Sequence, residues 1–270
     1  MGKGNFILGT GSSSIGDVTF ARRNGQQIAR VRVRKIKNPK SYGQAEQRMV
    51  SAEVVKFYSP LSGVLETSFE GLSKSESYAK FLSINMNIAR ANGYGVVKGS
   101  QWVALPLQVS SGSLQQAIVN NDDSNRECCL VVDNVTPAGE SATWGEISVG
   151  LIAQYGLQNG DQLTFIYHTN TNKNTPKYMR VFLDSSSTEV PTSLRFDSGE
   201  LKPADTGILG LAVVFSRWDG DAWARSTATY VMRESEVTLL TQNYETKVAT
   251  YMKAGGRTPV SDVYLNGSDD

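Results

Sequence analysis

Residues 208–232 read ILGLAVVFSRWDGDAWARSTATYVM and place two apolar, β-branched and aromatic runs on either side of Asp219-Gly220-Asp221. The runs 208–217 and 223–232 have the composition of strands, and the acidic and glycine residues between them are typical of a hairpin loop. The loop also resembles a fragment of a calcium-binding loop, but the acidic positions that such a loop needs downstream are absent. The segment therefore predicts an antiparallel hairpin.

Similar short runs extend back towards residue 100. They predict strands at 102–109, 128–132, 144–152, 162–168 and 178–183. The stretch 170–201 is rich in Ser, Thr, Asn and Pro and predicts a loop around the last of these strands. The spacing of Tyr244, Val248 and Met252 predicts a closing helix over 241–252. Residues 100–254 thus form a mainly antiparallel β domain, and 255–270 a C-terminal tail.

The preceding segment, 41–99, has helical periodicity. Ser41 with Gln44, and Ser73 with Glu76, have the spacing of capping boxes and predict the starts of two helices. The first helix is expected to end near Ser59, and the second at Asn92-Gly93. Together they predict a helical hairpin, and the fold class of the chain is α+β.

Residues 1–40 form a glycine-rich and basic arm. Asn24-Gly25 is a strong turn signal between 17–23 and 27–34 and predicts a two-stranded ribbon. Alternation along its second strand places Ala29, Val31 and Val33 on one face and Arg30, Arg32 and Arg34 on the other. The glycine-rich segment 9–16 is interpreted as a hinge, since no helix or Gly-Lys-Ser/Thr follows it as phosphate-binding loops require.

Charge is distributed unevenly along the chain. Residues 1–48 hold ten basic and two acidic side chains, whereas the remainder holds 17 basic and 24 acidic ones. Such asymmetry indicates an arm that contacts nucleic acid or an acidic protein surface. The predicted binding residues are Arg22, Arg23, Arg30, Arg32, Arg34, Lys35 and Lys37. Arginine suits both phosphate and carboxylate, so the residues leave the partner open.

No motif in the sequence indicates a reaction. The single histidine, His168, lies in a predicted strand without a nucleophile motif nearby, and we expect no catalytic residue. Cys128 and Cys129 are adjacent in a predicted strand, which favours two buried thiols rather than a disulfide or a zinc site. No cofactor or metal is expected. The start of the chain lacks the apolar run of a signal peptide or spanning helix, which indicates a cytosolic protein without membrane contact.

Several of these segments together resemble the DUF6266 family of Bacteroidota and their phages. The resemblance rests on the glycine-rich start, the basic hairpin, the junction 37–48 (KNPKSYGQAEQR) and the aromatic-rich helices after it. It extends to AVVFSR at 212–217 and WARST at 223–227. Lys40-Ser41 replaces the Arg-Thr expected at the junction. The resemblance implies no catalytic residues, and its phage association implies a role in a virion or with a genome.

The leading expectation is a non-enzymatic phage structural protein that is made in the bacterial cytoplasm and resides in the virion. Its arm would contact further copies or other virion subunits, because the acidic remainder of a neighbour complements the basic arm. The alternative is a nucleic-acid-binding protein whose arm contacts phosphates, although the remainder lacks a recognition helix or an RNA-binding signature. A third reading, an enzyme with dispersed active-site residues, has no motif in its favour.

Overall fold

The computed structural model describes residues 13–15, 18–23, 26–31, 42–91, 106–122, 127–135, 137, 139, 141–170 and 172–233. The predicted closing helix at 241–252, the tail, and Arg32, Arg34, Lys35 and Lys37 lie outside the described residues. The chain divides into two compact units, 1–40 and 41–270. The boundaries proposed at 99 and 254 remain predictions.

The first unit contains a three-stranded antiparallel sheet. Its strands are β1 (Ser13–Ile15), β2 (Val18–Arg23) and β3 (Gln26–Val31), in the order β1-β2-β3. The predicted ribbon had two strands, and the expectation of a hinge across 9–16 is wrong for Ser13–Ile15. These residues pair in antiparallel register with Val18–Phe20.

The second unit begins with helices. α1 (Tyr42–Tyr58) leads through a 3₁₀ turn (Ser59–Leu61) into the short α2 (Ser62–Leu65), and α3 (Lys74–Ala91) follows. Pro60 lies at the start of the 3₁₀ turn, as expected for a residue that cannot continue a helix. The Glu76 carboxylate accepts hydrogen bonds from the N–H (3.0 Å) and hydroxyl (2.6 Å) of Ser73. α1 and α3 pack together, with the Phe57 and Phe81 ring centroids 6.5 Å apart.

The largest sheet of the second unit is antiparallel and six-stranded. Its order is β4-β13-β11-β7-β8, and β12 pairs with β11 beside β13. The predicted hairpin at 208–232 is confirmed, with its second strand divided into two. The strands are β4 (Leu107–Ser110), β7 (Gln162–Thr169), β8 (Asn172–Phe182), β11 (Ile208–Trp218), β12 (Trp223–Arg225) and β13 (Ala228–Met232).

The predicted strand at 144–152 is wrong, because α4 (Trp144–Tyr155) occupies this position. Thr143 and Glu146 form a complete capping box, and Gly156 ends the helix in the left-handed conformation. Ile147 and Leu151 are buried, whereas Val149 between them is exposed. The apolar residues at 147, 149 and 151 fit an alternating pattern, but only those at helical spacing face the core.

The stretch 170–201 contains more strand than the single run predicted there. β8 begins at Asn172, and β9 (Leu194–Asp197) pairs with β10 (Glu200–Pro203) across Ser198-Gly199. β5 (Val119–Asn120) and β6 (Cys129–Val131) complete a four-stranded sheet in the order β5-β6-β10-β9. β9 and β10 form a local hairpin that joins the sheet through the pairing of β10 with the distant β6, and their polar composition alone indicated a loop.

Two cores lie on opposite faces of the six-stranded sheet. On one face, Ile166, Ala212 and Val214 pack against the helical layer of α1–α3. On the other, Phe165, Val213 and other residues pack against α4 and the four-stranded sheet. The alternation of β7 and β11 supplies side chains to both cores, which explains why both strands are almost completely buried.

Candidate functional site

The described part of the arm places Arg22 and Arg23 on β2 and Arg30 on β3. Arg30 lies opposite Thr19, and Arg23 lies opposite Gln26 at the other end of the pair. Alternation puts Arg23 and Arg30 on one face of the sheet and Arg22 on the other. The strand register therefore divides these three positions between the two faces of the sheet.

The second face of this sheet includes apolar positions of both β2 and β3. Val31 lies opposite Val18, and Ala29 lies opposite Phe20, so that these four positions share a face with Arg22. Val31 is 75% exposed, and Ala29 is also exposed. Exposed β-branched and aliphatic positions on a small sheet provide apolar surface for a partner.

The second unit contains an ionic network around Glu127. Its carboxylate accepts hydrogen bonds from the Gly207 N–H and from Arg195 Nη2 at 3.1 and 3.2 Å, and Lys202 Nζ lies 3.3 Å away. Burial would raise the pKa of Glu127, but the Gly207 hydrogen bond and the Arg195 charge outweigh burial and lower it. The network thus holds Glu127 ionised between two cations.

A cavity of about 380 Å³ opens beside this network. Arg195 and Lys202 contribute to its lining, together with Val190, Leu194 and Phe196. Both cations already contact Glu127, and Arg195 also donates to the carbonyl of Asp205 at 2.6 Å. Their charges are neutralised within the protein, which gives the cavity little preference for an anion.

His168 is a core residue in the structure. It is buried, and its Nδ1 lies 2.7 Å from the hydroxyl of Tyr230. Burial lowers the pKa of His168 to about 3. The imidazole is therefore neutral over the physiological range and extends from β7 to Tyr230 of β13 within the core.

Neither cysteine forms a disulfide, and both are buried, as the sequence predicted. Burial raises the pKa of the Cys129 thiol to about 11. The thiolate, which is the nucleophilic form, is therefore scarce at neutral pH. Within the described ranges, no group of three or more His, Cys, Asp or Glu side chains could hold a metal ion. No helix in the same part of the chain is long and apolar enough to cross a membrane.

Asp219 closes the β11–β12 hairpin. Its carboxylate accepts hydrogen bonds from the N–H groups of Ala222 at 2.8 Å and Asp221 at 3.1 Å. These hydrogen bonds lower the pKa of Asp219. The interpretation of 219–221 as a turn is confirmed, since the carboxylate binds backbone N–H groups of its own loop.

One constellation was not predicted from the sequence. Arg180, Trp218, Trp223 and Arg225 come from three strands, β8, β11 and β12, and meet on one face of the six-stranded sheet. No local motif links them, because their proximity depends on the register of strands that are distant in sequence. The only available signal was the tryptophan content of the hairpin.

The comparisons with known proteins concern the first part of the chain. A family model described as a family of unknown function (DUF6266) matches residues 10–155. This range includes the arm sheet and the four α-helices of the described residues, and it ends before β7 and β11. Neither the curated proteins nor the solved structures gave a match. Because the family model covers more than half of the chain, the protein belongs to this family of unknown function, DUF6266.

Proposed function

We propose that this protein is a non-enzymatic structural component of a phage virion that self-associates through its N-terminal arm. The observation that carries the proposal is the exposed apolar face of the arm, on which Val31 is 75% exposed beside Ala29. The assignment to a virion rests on the resemblance to a phage-associated family.

The arm is suited to an intermolecular contact in two ways. It is a compact unit of its own, and β1 and β3 form the edges of its sheet. Edge strands offer unpaired backbone groups to an incoming strand. In addition, the excess of basic residues in 1–48 complements the acidic excess of the remaining chain, so that one copy presents a surface of opposite charge to the next.

The test compares two exposed valines in the full chain. Val31→Lys places a charge in the apolar face of the arm, whereas Val149→Lys makes the same change on the exposed side of α4. We expect sedimentation velocity to show concentration-dependent association of the wild type and of Val149→Lys. Association of Val31→Lys should be about tenfold weaker or more, since burial of a valine contributes roughly 1.5–3 kcal/mol. A monomeric wild type, or equal association of both variants, would contradict the proposal.

The nucleic-acid alternative has a separate test. Replacing Arg30, Arg32 and Arg34 with Gln removes three charges while keeping long side chains. If the arm bound phosphates, filter binding to duplex and single-stranded DNA would weaken steeply with salt. The log–log slope of the variant would then be shallower by up to about three units. Submicromolar binding of the wild type near physiological salt would contradict a purely structural role. Absence of binding at low salt would exclude the alternative.

A further inference from the structure

One face of the six-stranded sheet packs against α1–α3, and at one end this face extends beyond the apolar core. The strand register aligns Arg225, Ser216, Gln162 and Phe182 across β12, β11, β7 and β8. The neighbouring row contains Val214, Thr164 and Arg180. Side chains two residues apart on a strand lie on the same face, so both rows belong to this face of the sheet. Arg180 and Arg225 lie at its two sides, and the polar residues Ser216, Gln162 and Thr164 lie between them.

Aromatic side chains surround these two arginines. The guanidinium of Arg225 lies over the Trp223 ring, 4.9 Å from its centroid, and that of Arg180 lies 5.5 Å from the Tyr178 centroid. The Trp218 and Trp223 centroids are 5.3 Å apart. Four aromatic residues of this face are exposed: Tyr178, Phe182, Trp218 and Trp223. Clusters of Trp, Tyr and Arg of this kind are typical of protein-binding hot spots.

Arg225 is a buried cation without a carboxylate partner among the described residues. Its exposed fraction is only 8%, and its Nη1 donates to the Ser216 hydroxyl. Its Nε is buried and has no hydrogen-bond acceptor. The Glu70 carboxylate, whose charge raises the pKa of Arg225, accepts hydrogen bonds from the backbone N–H groups of Arg225 (3.0 Å) and Ser113 (2.8 Å) rather than from the guanidinium. A buried guanidinium normally has an anionic partner, because desolvation of an unpaired charge is costly.

Arg180 adds a second, exposed cation to the same place. Within the described ranges its guanidinium contacts the carbonyl of Gly63 at 3.4 Å and no carboxylate. Burial, and to a smaller extent the charge of Arg180, lower the pKa of Arg225 to about 10 against the opposing charge of Glu70. The charge of Arg180 therefore raises the cost of ionising Arg225, and a bound anion would relieve this repulsion.

We propose that this aromatic–arginine surface binds a carboxylate-bearing segment of a partner protein. The partner carboxylate would pair with Arg180 and Arg225, while its apolar side chains pack on Trp218, Trp223 and Phe182. A protein is favoured over nucleic acid because the cations are few and Asp219 and Asp221 lie in the loop that joins the two tryptophan-bearing strands. Those carboxylates would repel a phosphodiester backbone. The surface is distinct from the arm and does not depend on its role.

The test uses the full chain and a short peptide of alternating leucine and glutamate. The same peptide with glutamine replacing glutamate removes the carboxylates, and an oligothymidylate represents nucleic acid. We expect calorimetry to show binding of the acidic peptide, with affinity about tenfold lower or more for the glutamine peptide and for Arg180→Gln. Lys80→Gln, which removes an exposed cation of α3, should bind like the wild type.

Three outcomes would overturn the proposal. The first is absence of binding to the acidic peptide at millimolar concentration. The second is equal weakening by Arg180→Gln and Lys80→Gln, which would indicate general charge attraction. The third is preference for the oligothymidylate over the peptide. Arg180 is exposed, so its replacement is expected to leave the fold intact, which a matching near-UV circular dichroism spectrum would verify.

Discussion

At the scale of single residues, His168 and Tyr230 show how polar groups are accommodated in this core. Their hydrogen bond lies among apolar side chains, with the Phe57 ring 6.0 Å from the imidazole and 5.0 Å from the phenol. Gly210 lies beneath the same phenol, and a Cβ there would overlap its hydroxyl. This buried hydrogen bond depends on three residues that are distant in sequence. Gly210 leaves room for the phenol, and His168 and Tyr230 satisfy each other's polar groups.

The neutral His168 predicts a pH dependence of stability. Its pKa is about 3 in the folded protein, against an ordinary value of 6.5, so between these values the unfolded chain binds the extra proton. Stability should therefore fall as the pH falls through this window, by up to about 1.4 kcal/mol per pH unit from this group. Urea unfolding at several pH values should give a shallower dependence for His168→Gln, because its side chain does not titrate.

Tyr230→Phe provides the control for this experiment. It removes the hydroxyl that contacts His168 but retains the buried imidazole, so its pH dependence should stay as steep as in the wild type. Carboxylates also titrate in this range, but they are common to all three proteins. Equal slopes for the wild type and His168→Gln would show that the imidazole is protonated in the folded state.

At the scale of elements, α4 is defined by its two ends. The Thr143 hydroxyl accepts a hydrogen bond from the Glu146 N–H at 3.3 Å, and the Glu146 carboxylate accepts from the Thr143 N–H at 2.8 Å. The carbonyls of Glu189 and Ser187 accept from the N–H groups of Trp144 and Gly145. The first turn thus has few unsatisfied backbone donors, which stabilises a helix where alternation would permit a strand.

Removal of the cap should destabilise the second unit measurably. Thr143→Ala eliminates one acceptor at the N-terminus of α4 and should lower the free energy of unfolding by about 1 kcal/mol. Thr188→Ala, at an exposed position in the loop after β8, should change it by less than about 0.5 kcal/mol. Chemical denaturation of both variants measures the difference. Equal stability of the two would show that the loop carbonyls, rather than Thr143, hold the helix start.

At the scale of the whole molecule, the two compact units differ in how they are stabilised. Both described apolar cores consist of residues of the second unit, from Val54 to Met232. A small sheet with an exposed apolar face is marginal in water and gains stability from a partner.

Deletion of residues 1–37 should therefore leave a folded second unit that no longer self-associates. We expect one cooperative thermal transition with a midpoint within about 4 °C of the full chain, the shift that roughly 1 kcal/mol produces at this size. Calorimetry and sedimentation velocity measure the two properties. Loss of the cooperative transition would mean that the arm belongs to the fold of the remainder.

The sequence by itself determined the features that depend on neighbouring residues. Asp219 and Gly220 define a hairpin because the carboxylate and the glycine act within one loop, and the helical spacing of Val54 and Phe57 positions α1 on the core. Membership of the α+β class followed from these local signals, and so did the arm hairpin around Asn24-Gly25.

Only the tertiary structure decided the features that depend on strand pairing. Residues 144–152 fit both periods, and in addition to the local Thr143–Glu146 cap the helix depends on the core, which Ile147 and Leu151 reach while Val149 does not. β9 and β10 are strands because they join a sheet with β6. Arg180 and Arg225 meet through the register of four strands. Long-range pairing has no signature in a short window of sequence, since its free energy arises only after distant segments have come together.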